Sequence, residues 1–209
     1  MGIPVLILGE SGSGKSASLR NFEPDEVGIF NVASKPLPFR KQLKKIDGAN
    51  YNTIAKVLSN PEMKKYVIDD SQYLLCFELF ARAKETGFEK FVDLALHFYN
   101  LIKLVTEQTP PDVVVYFLHH TELTEGKTKA KTIGKMLDEK LTVDGLFTLV
   151  LLARTDGKRY WFETQNDGFS TCKSPMYMFD ELEIDNDLKF VDEKIREYWK
   201  LNQTESEEK

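Results

Sequence analysis

The chain has 209 residues, 42% hydrophobic and 29% charged, the balance of a soluble globular protein long enough to bury one core. Its formal net charge of −5 argues against a wholly basic nucleic-acid coat while allowing a local basic patch. The two cysteines, Cys76 and Cys172, are far apart and without Cys-x-x-Cys spacing. That argues against a disulfide framework or a zinc site and for a reduced, cytoplasmic setting.

The apolar run 3–8 reads as a buried strand and leads straight into Gly9-Glu10-Ser11-Gly12-Ser13-Gly14-Lys15-Ser16, a complete G-x-x-x-x-G-K-[ST] phosphate-binding loop. With the first strand beginning at residue 3, no signal peptide is expected. Ser16-Ala17-Ser18-Leu19-Arg20 then reads as a helix start. The physical content of the motif is a nest of backbone N–H groups, made possible by glycines that adopt unusual backbone angles. Gly9 to Ala17 are therefore the expected polyphosphate-binding residues. Lys15 reaches the β- and γ-phosphates, and the Ser16 hydroxyl helps to hold Mg²⁺. A nucleoside triphosphate, taken as ATP, is the expected ligand.

Further along, 27–33 reads as a strand followed by the Pro-punctuated segment 34–40, and 53–65 as a helix. Residues 66–70 form a short buried strand ending in Asp69 and Asp70, with a helix over 72–85 that stops at Thr86-Gly87. The apolar period is clearest from Phe88 through Phe91, Val92, Ala95, Phe98, Tyr99 and Ile102 to Val105, a helix that must end before Pro110-Pro111. Residues 113–118 are a buried strand ending at His119-His120; a polar, mobile connection over 121–132 and a short helix at 135–140 follow. The runs 147–153 and 158–164 pair as a hairpin across Thr155-Asp156-Gly157, and 166–175 is a loop. An amphipathic helix over 188–201 precedes an acidic tail, 202–209, expected to be disordered, so residues 1–201 form a single domain. The longest apolar runs, such as 146–153, are too short to span a bilayer.

Buried strands alternating with helices predict an α/β fold with a mainly parallel sheet covered on both faces. Ligands of such sheets bind beyond the carboxyl ends of the strands, where the loop, Asp69-Asp70 and His119-His120 all fall. Val67-Ile68-Asp69-Asp70 has the Walker B pattern, which gives Asp69 to the Mg²⁺ shell. Asp70 either orients and deprotonates the attacking water or caps the helix that follows. His119 or His120, not both, contacts the γ-phosphate, because adjacent strand residues face opposite ways; the alternative is local packing. His97 belongs to the long helix and is read as a surface or interior contact. Lys127, Lys129 and Lys131, within the Gly126 to Lys135 stretch, are either a single-stranded DNA contact or a solvated surface, and Lys41, Lys44 and Lys45 form a second small basic group.

Taken together, GESGSGKS, Lys35-Pro36-Leu37-Pro38-Phe39-Arg40, Val67-Ile68-Asp69-Asp70 and His119-His120-Thr121-Glu122 resemble the RecA-type P-loop ATPases encoded by phages, a group that includes single-strand annealing ATPases. The resemblance implies a three-layer sandwich with a RecA-like core, Mg²⁺-dependent ATP hydrolysis with Lys15, Asp70, His119 and His120 as catalytic candidates, and work on phage DNA in a host cytoplasm. It also implies a homo-oligomer whose Lys173 acts on a neighbour's site. Where related chains carry Lys-Asp-Arg, this one has Cys172-Lys173-Ser174-Pro175, keeping the lysine and losing the arginine. Other classes open on the same motif are a small-molecule or nucleotide kinase with Lys127 to Lys135 as a lid, and a nucleotide-binding switch with little hydrolysis. An ABC signature and an Asn-Lys-x-Asp guanine-reading motif are both missing.

Overall fold

The computed structural model describes residues 1–201; the tail 202–209 lies outside the described residues. Its strands are β1 (Ile3–Gly9), β2 (Gly28–Asn31), β3 (Lys45–Asp47), β4 (Lys65–Asp69), β5 (Val114–Thr124), β6 (Lys127–Ala130), β7 (Leu149–Thr155), β8 (Tyr160–Glu163) and β9 (Glu183–Asp185). The helices are α1 (Tyr51–Leu58), α2 (Gln72–Ala81), α3 (Glu89–Gln108) and α4 (Leu188–Tyr198). Together they make an α/β fold on one sheet, in the order β3-β2-β4-β5-β1-β7-β8-β9, with β6 paired to β5. The first six strands of that order run parallel, and β8 and β9 are added antiparallel.

Side-chain alternation explains why the strands read as unbroken apolar runs. Leu6 and Leu8 of β1 face the cluster built with Ile54, Leu75, Phe98 and Val105 of α1, α2 and α3. Val5 and Ile7, one residue out of phase, face Leu19, Phe22 and the α4 residues Leu188, Val191 and Ile195. Both faces of the sheet are thus covered, and neither face of a central strand can be polar. Among the described residues no helix is long and apolar enough to cross a membrane.

Helix α4 is fastened by a buried polar network. Asp192, fully buried, accepts from the Tyr116 hydroxyl at 2.7 Å and Arg196 Nε at 2.8 Å, and Lys65 Nζ lies 3.1 Å away. Arg196 also donates to the carbonyls of Asp112 and Lys64, closing α4 over the amino ends of β4 and β5.

Several expectations need correction. The helix expected over 53–65 is α1, which starts two residues earlier, at an Asn50 cap accepting from the Thr53 amide, and stops at Leu58. Pro61 disfavours helical geometry in the residue before it, so the pattern could not continue. The helix after the phosphate loop is only a six-residue 3₁₀ segment, Ser16–Asn21. The helix expected to run to 85 ends at Ala81. Strand β5 does not stop at His119-His120 but runs on to Thr124, and the supposedly mobile connection is a ribbon in which Thr121 to Thr124 pair with Lys127 to Ala130. Its turn, Glu125-Gly126, has φ +51 and +79, the two positive values of a type I′ hairpin. Strands β3 and β9, three residues each, were not expected; they are too short to show periodicity. The β7–β8 hairpin is present, antiparallel with Leu152 opposite Glu163.

Candidate functional site

The parallel strands bring their carboxyl ends to one edge, and the phosphate loop follows β1 there. Gly12 and Gly14 have φ +82 and +94. A Cβ on Gly14 would lie 2.7 Å from the Tyr160 ring, so both the backbone angle and the packing require glycine. Ser13 Oγ is buried without a hydrogen-bond partner among the described residues. Lys15 is buried, and its ammonium donates to the carbonyls of Gly9 at 2.7 Å and Glu10 at 2.9 Å. Burial lowers its pKa to about 8, because carbonyl dipoles do not replace the lost hydration of a full charge.

The loop meets the second motif directly. Ser16 Oγ donates to Asp69 Oδ1 at 2.8 Å across 53 residues of sequence. Asp69 is buried at the end of β4, and burial raises its pKa despite the Ser16 hydrogen bond. Burial therefore pushes both Lys15 and Asp69 toward the uncharged form. A hydroxyl and a carboxylate oxygen are hard donors suited to Mg²⁺, which takes few protein ligands and completes its shell with phosphate and water. Among the described residues no cluster of three or more His, Cys, Asp or Glu could hold a metal.

Asp70 lies just beyond β4 with φ +61, a left-handed conformation that Asp tolerates at a cost of order 1 kcal/mol. Its carboxylate is held on both sides, by Lys35 Nζ at 2.6 Å and His120 Nε2 at 3.1 Å. Burial alone would raise its pKa, but these partners outweigh it and bring the value to about 2. Asp70 is not a helix cap: the residue before α2 is Ser71, and no side chain caps that end. Tyr73 closes the group, 5.3 Å from the His120 ring and with Lys35 Nζ 5.1 Å above its own.

The two histidines have different surroundings. His120 lines a cavity of about 570 Å³ with Glu10, Ser11 and Tyr73. His119 is fully buried, 5.5 Å from the Phe98 ring; its Nε2 is 2.9 Å from the Lys131 carbonyl and its Nδ1 2.9 Å from Ser71 Oγ. Nε2 must carry the proton to donate to that carbonyl, which leaves Nδ1 to accept from Ser71. His119 thus tethers the ribbon to α2 rather than facing the loop.

Burial drops the His119 pKa to about 4, against 6.5 for the free side chain. The unfolded chain then binds the extra proton between those values, so the contribution of neutral His119 is complete above pH 6.5 and is lost as pH falls toward 4. Urea unfolding at pH 7 and pH 4 should show a loss of about 3 kcal/mol that His119→Gln lacks.

The remaining candidates are spread out. Lys129 pairs with Glu122 and Asp138 on the ribbon, and Lys127 lies at its turn. Lys173 bonds through its backbone to Val150, which is in register with Leu6, well before the phosphate loop of its own chain. His97 pairs with Glu78 at 2.8 Å, away from the loop. Lys45, of the second basic group, pairs with Asp47. Sequence reasoning missed roles for Lys35 and Arg154. Arg154 stands at the carboxyl end of β7, the same signal that located the other groups, and Lys35 lies in the segment after β2. Glu10 and Ser11 share the cavity of His120 with Arg154.

No protein-family model matches the chain, and no curated protein matches it.

Proposed function

We propose that the chain is a Mg²⁺-dependent ATP-binding and ATP-hydrolysing P-loop ATPase with a RecA-like core. The observation that carries this reading is the 2.8 Å bond from Ser16 to Asp69, which joins the phosphate loop to the Walker B carboxylate at one edge of the sheet. Strand β5 lies between β1 and β4, and so delivers His120 between the loop and Asp70. Lys15 would leave its two carbonyl partners for the β- and γ-phosphates, and Ser16 and Asp69 would hold the metal. Bound Mg²⁺ would offset negative charge on the β- and γ-phosphate oxygens. Asp70 and His120 would orient water for in-line attack. A place in phage DNA recombination or replication rests on the resemblance alone, with single-stranded DNA meeting the ribbon at Lys127 and Lys131.

A switch with slow hydrolysis is the second reading, favoured by Asp70 being paired with the Lys35 ammonium and hydrogen-bonded to His120, which makes it a weak base. Turnover stimulated by single-stranded DNA would support the first reading, and ATP held intact for hours the second.

Calorimetric titration with ATP and Mg²⁺ tests the common premise. Binding should need Mg²⁺ and be strongest below pH 8. A polyphosphate raises the Lys15 pKa above its free value of about 8, so affinity should fall up to tenfold per pH unit above that point. No binding at pH 7 would overturn the proposal.

A further inference from the structure

We propose that Arg154 is a cis-acting arginine that contacts the terminal phosphate of the bound triphosphate. This rests on reading the loop as a triphosphate cradle. Strand β7 pairs with β1 through Leu8 and Leu152, and the Ala153 carbonyl lies against Gly9, so Arg154 stands beside the first residues of the phosphate loop. It shares the cavity of about 570 Å³ with Glu10, Ser11, His120 and Lys131.

The way Arg154 is held points outward. Its side chain's only hydrogen bond among the described residues runs from Nε to Glu163 Oε1, at 3.0 Å. Glu163 Oε2 is buried and has no partner among the described residues. An arginine serving only as the partner of that carboxylate would engage both oxygens with its planar fork. Here the single bond fixes the stem and leaves both terminal nitrogens without a protein acceptor, on a side chain 35% exposed. A guanidinium anchored at Nε and free at its tip is suited to grip two oxygens of a phosphoryl group and to stabilise the charge that develops there.

The test compares Mg²⁺ complexes of ADP and ATPγS, so it does not depend on how fast the chain hydrolyses ATP. Arg154→Ala should weaken ATPγS binding about tenfold to a hundredfold while ADP affinity stays within about threefold. Glu163→Gln, which loosens the anchor, should weaken ATPγS selectively but by less, and free guanidinium should restore part of the loss in Arg154→Ala. If both nucleotides weaken in parallel, or neither does, Arg154 serves only the β7–β8 hairpin and the inference falls. If wild type binds neither nucleotide, the functional reading itself fails.

Discussion

Replacing Lys15 with alanine should reduce ATP turnover by about 10³-fold or more while leaving the melting temperature unchanged or slightly raised. The two halves of this result have one cause. The ammonium is buried with two carbonyl partners and a pKa lowered to about 8, so in the free protein it is held at a net cost. On the proposed reading its return would come from charge on the transferred phosphoryl group, which is greatest in the transition state. Removing it therefore relieves the resting protein and disables the reaction. Phosphate release under saturating ATP and thermal melts of the same preparations check both halves. Equal turnover by wild type and Lys15→Ala would refute the role, and a large fall in melting temperature would refute the account of its burial.

The second large effect is on stability. Asp192→Ala should cost about 3–5 kcal/mol, seen as a fall of roughly 10 °C in melting temperature. The substitution strands the buried Arg196 guanidinium and the Tyr116 hydroxyl together, and loosens Lys65. Pairing Asp192→Leu with Arg196→Met should recover much of the loss, because most of the penalty is an uncompensated charge and not missing attraction. If the double change is as damaging as the single one, the network contributes more than charge balance. Nucleotide affinity should be little altered, since this network lies at the amino ends of the strands and the loop at their carboxyl ends.

What the sequence reveals and what it conceals divides along physical lines. The turn after β1 was legible because glycines stand where the backbone takes positive φ, at Gly12 and Gly14. Strands β1, β4, β5 and β7 were legible because burial on both faces leaves them continuously apolar. The ribbon escaped notice: Thr121-Glu122-Leu123-Thr124 is mostly polar, and Glu-Gly is a weaker hairpin signal than Asn-Gly. The different surroundings of His119 and His120 follow from strand alternation, but which one is enclosed depends on Phe98 and Ser71, distant in sequence. The partners of Asp70 were concealed for the same reason, since Lys35 comes from the segment after β2 and His120 from β5. The Asp192 network was invisible because Asp and Arg four apart on a helix usually mark a solvated face.

The position of β5 in the sheet has one more consequence. Because it separates β1 from β4, the strand leading to the cationic loop and the strand bearing the two aspartates stand two sheet spacings apart, about 9.6 Å. Among the described residues Lys15 makes no ion pair, although two carboxylates end the second strand over. The intervening strand holds the Lys15 ammonium beyond salt-bridge reach of those carboxylates, although their charges still favour its protonated form. The ammonium and the Asp69 carboxylate are thereby left without a salt-bridge partner among the described residues, each open to whatever bridges them.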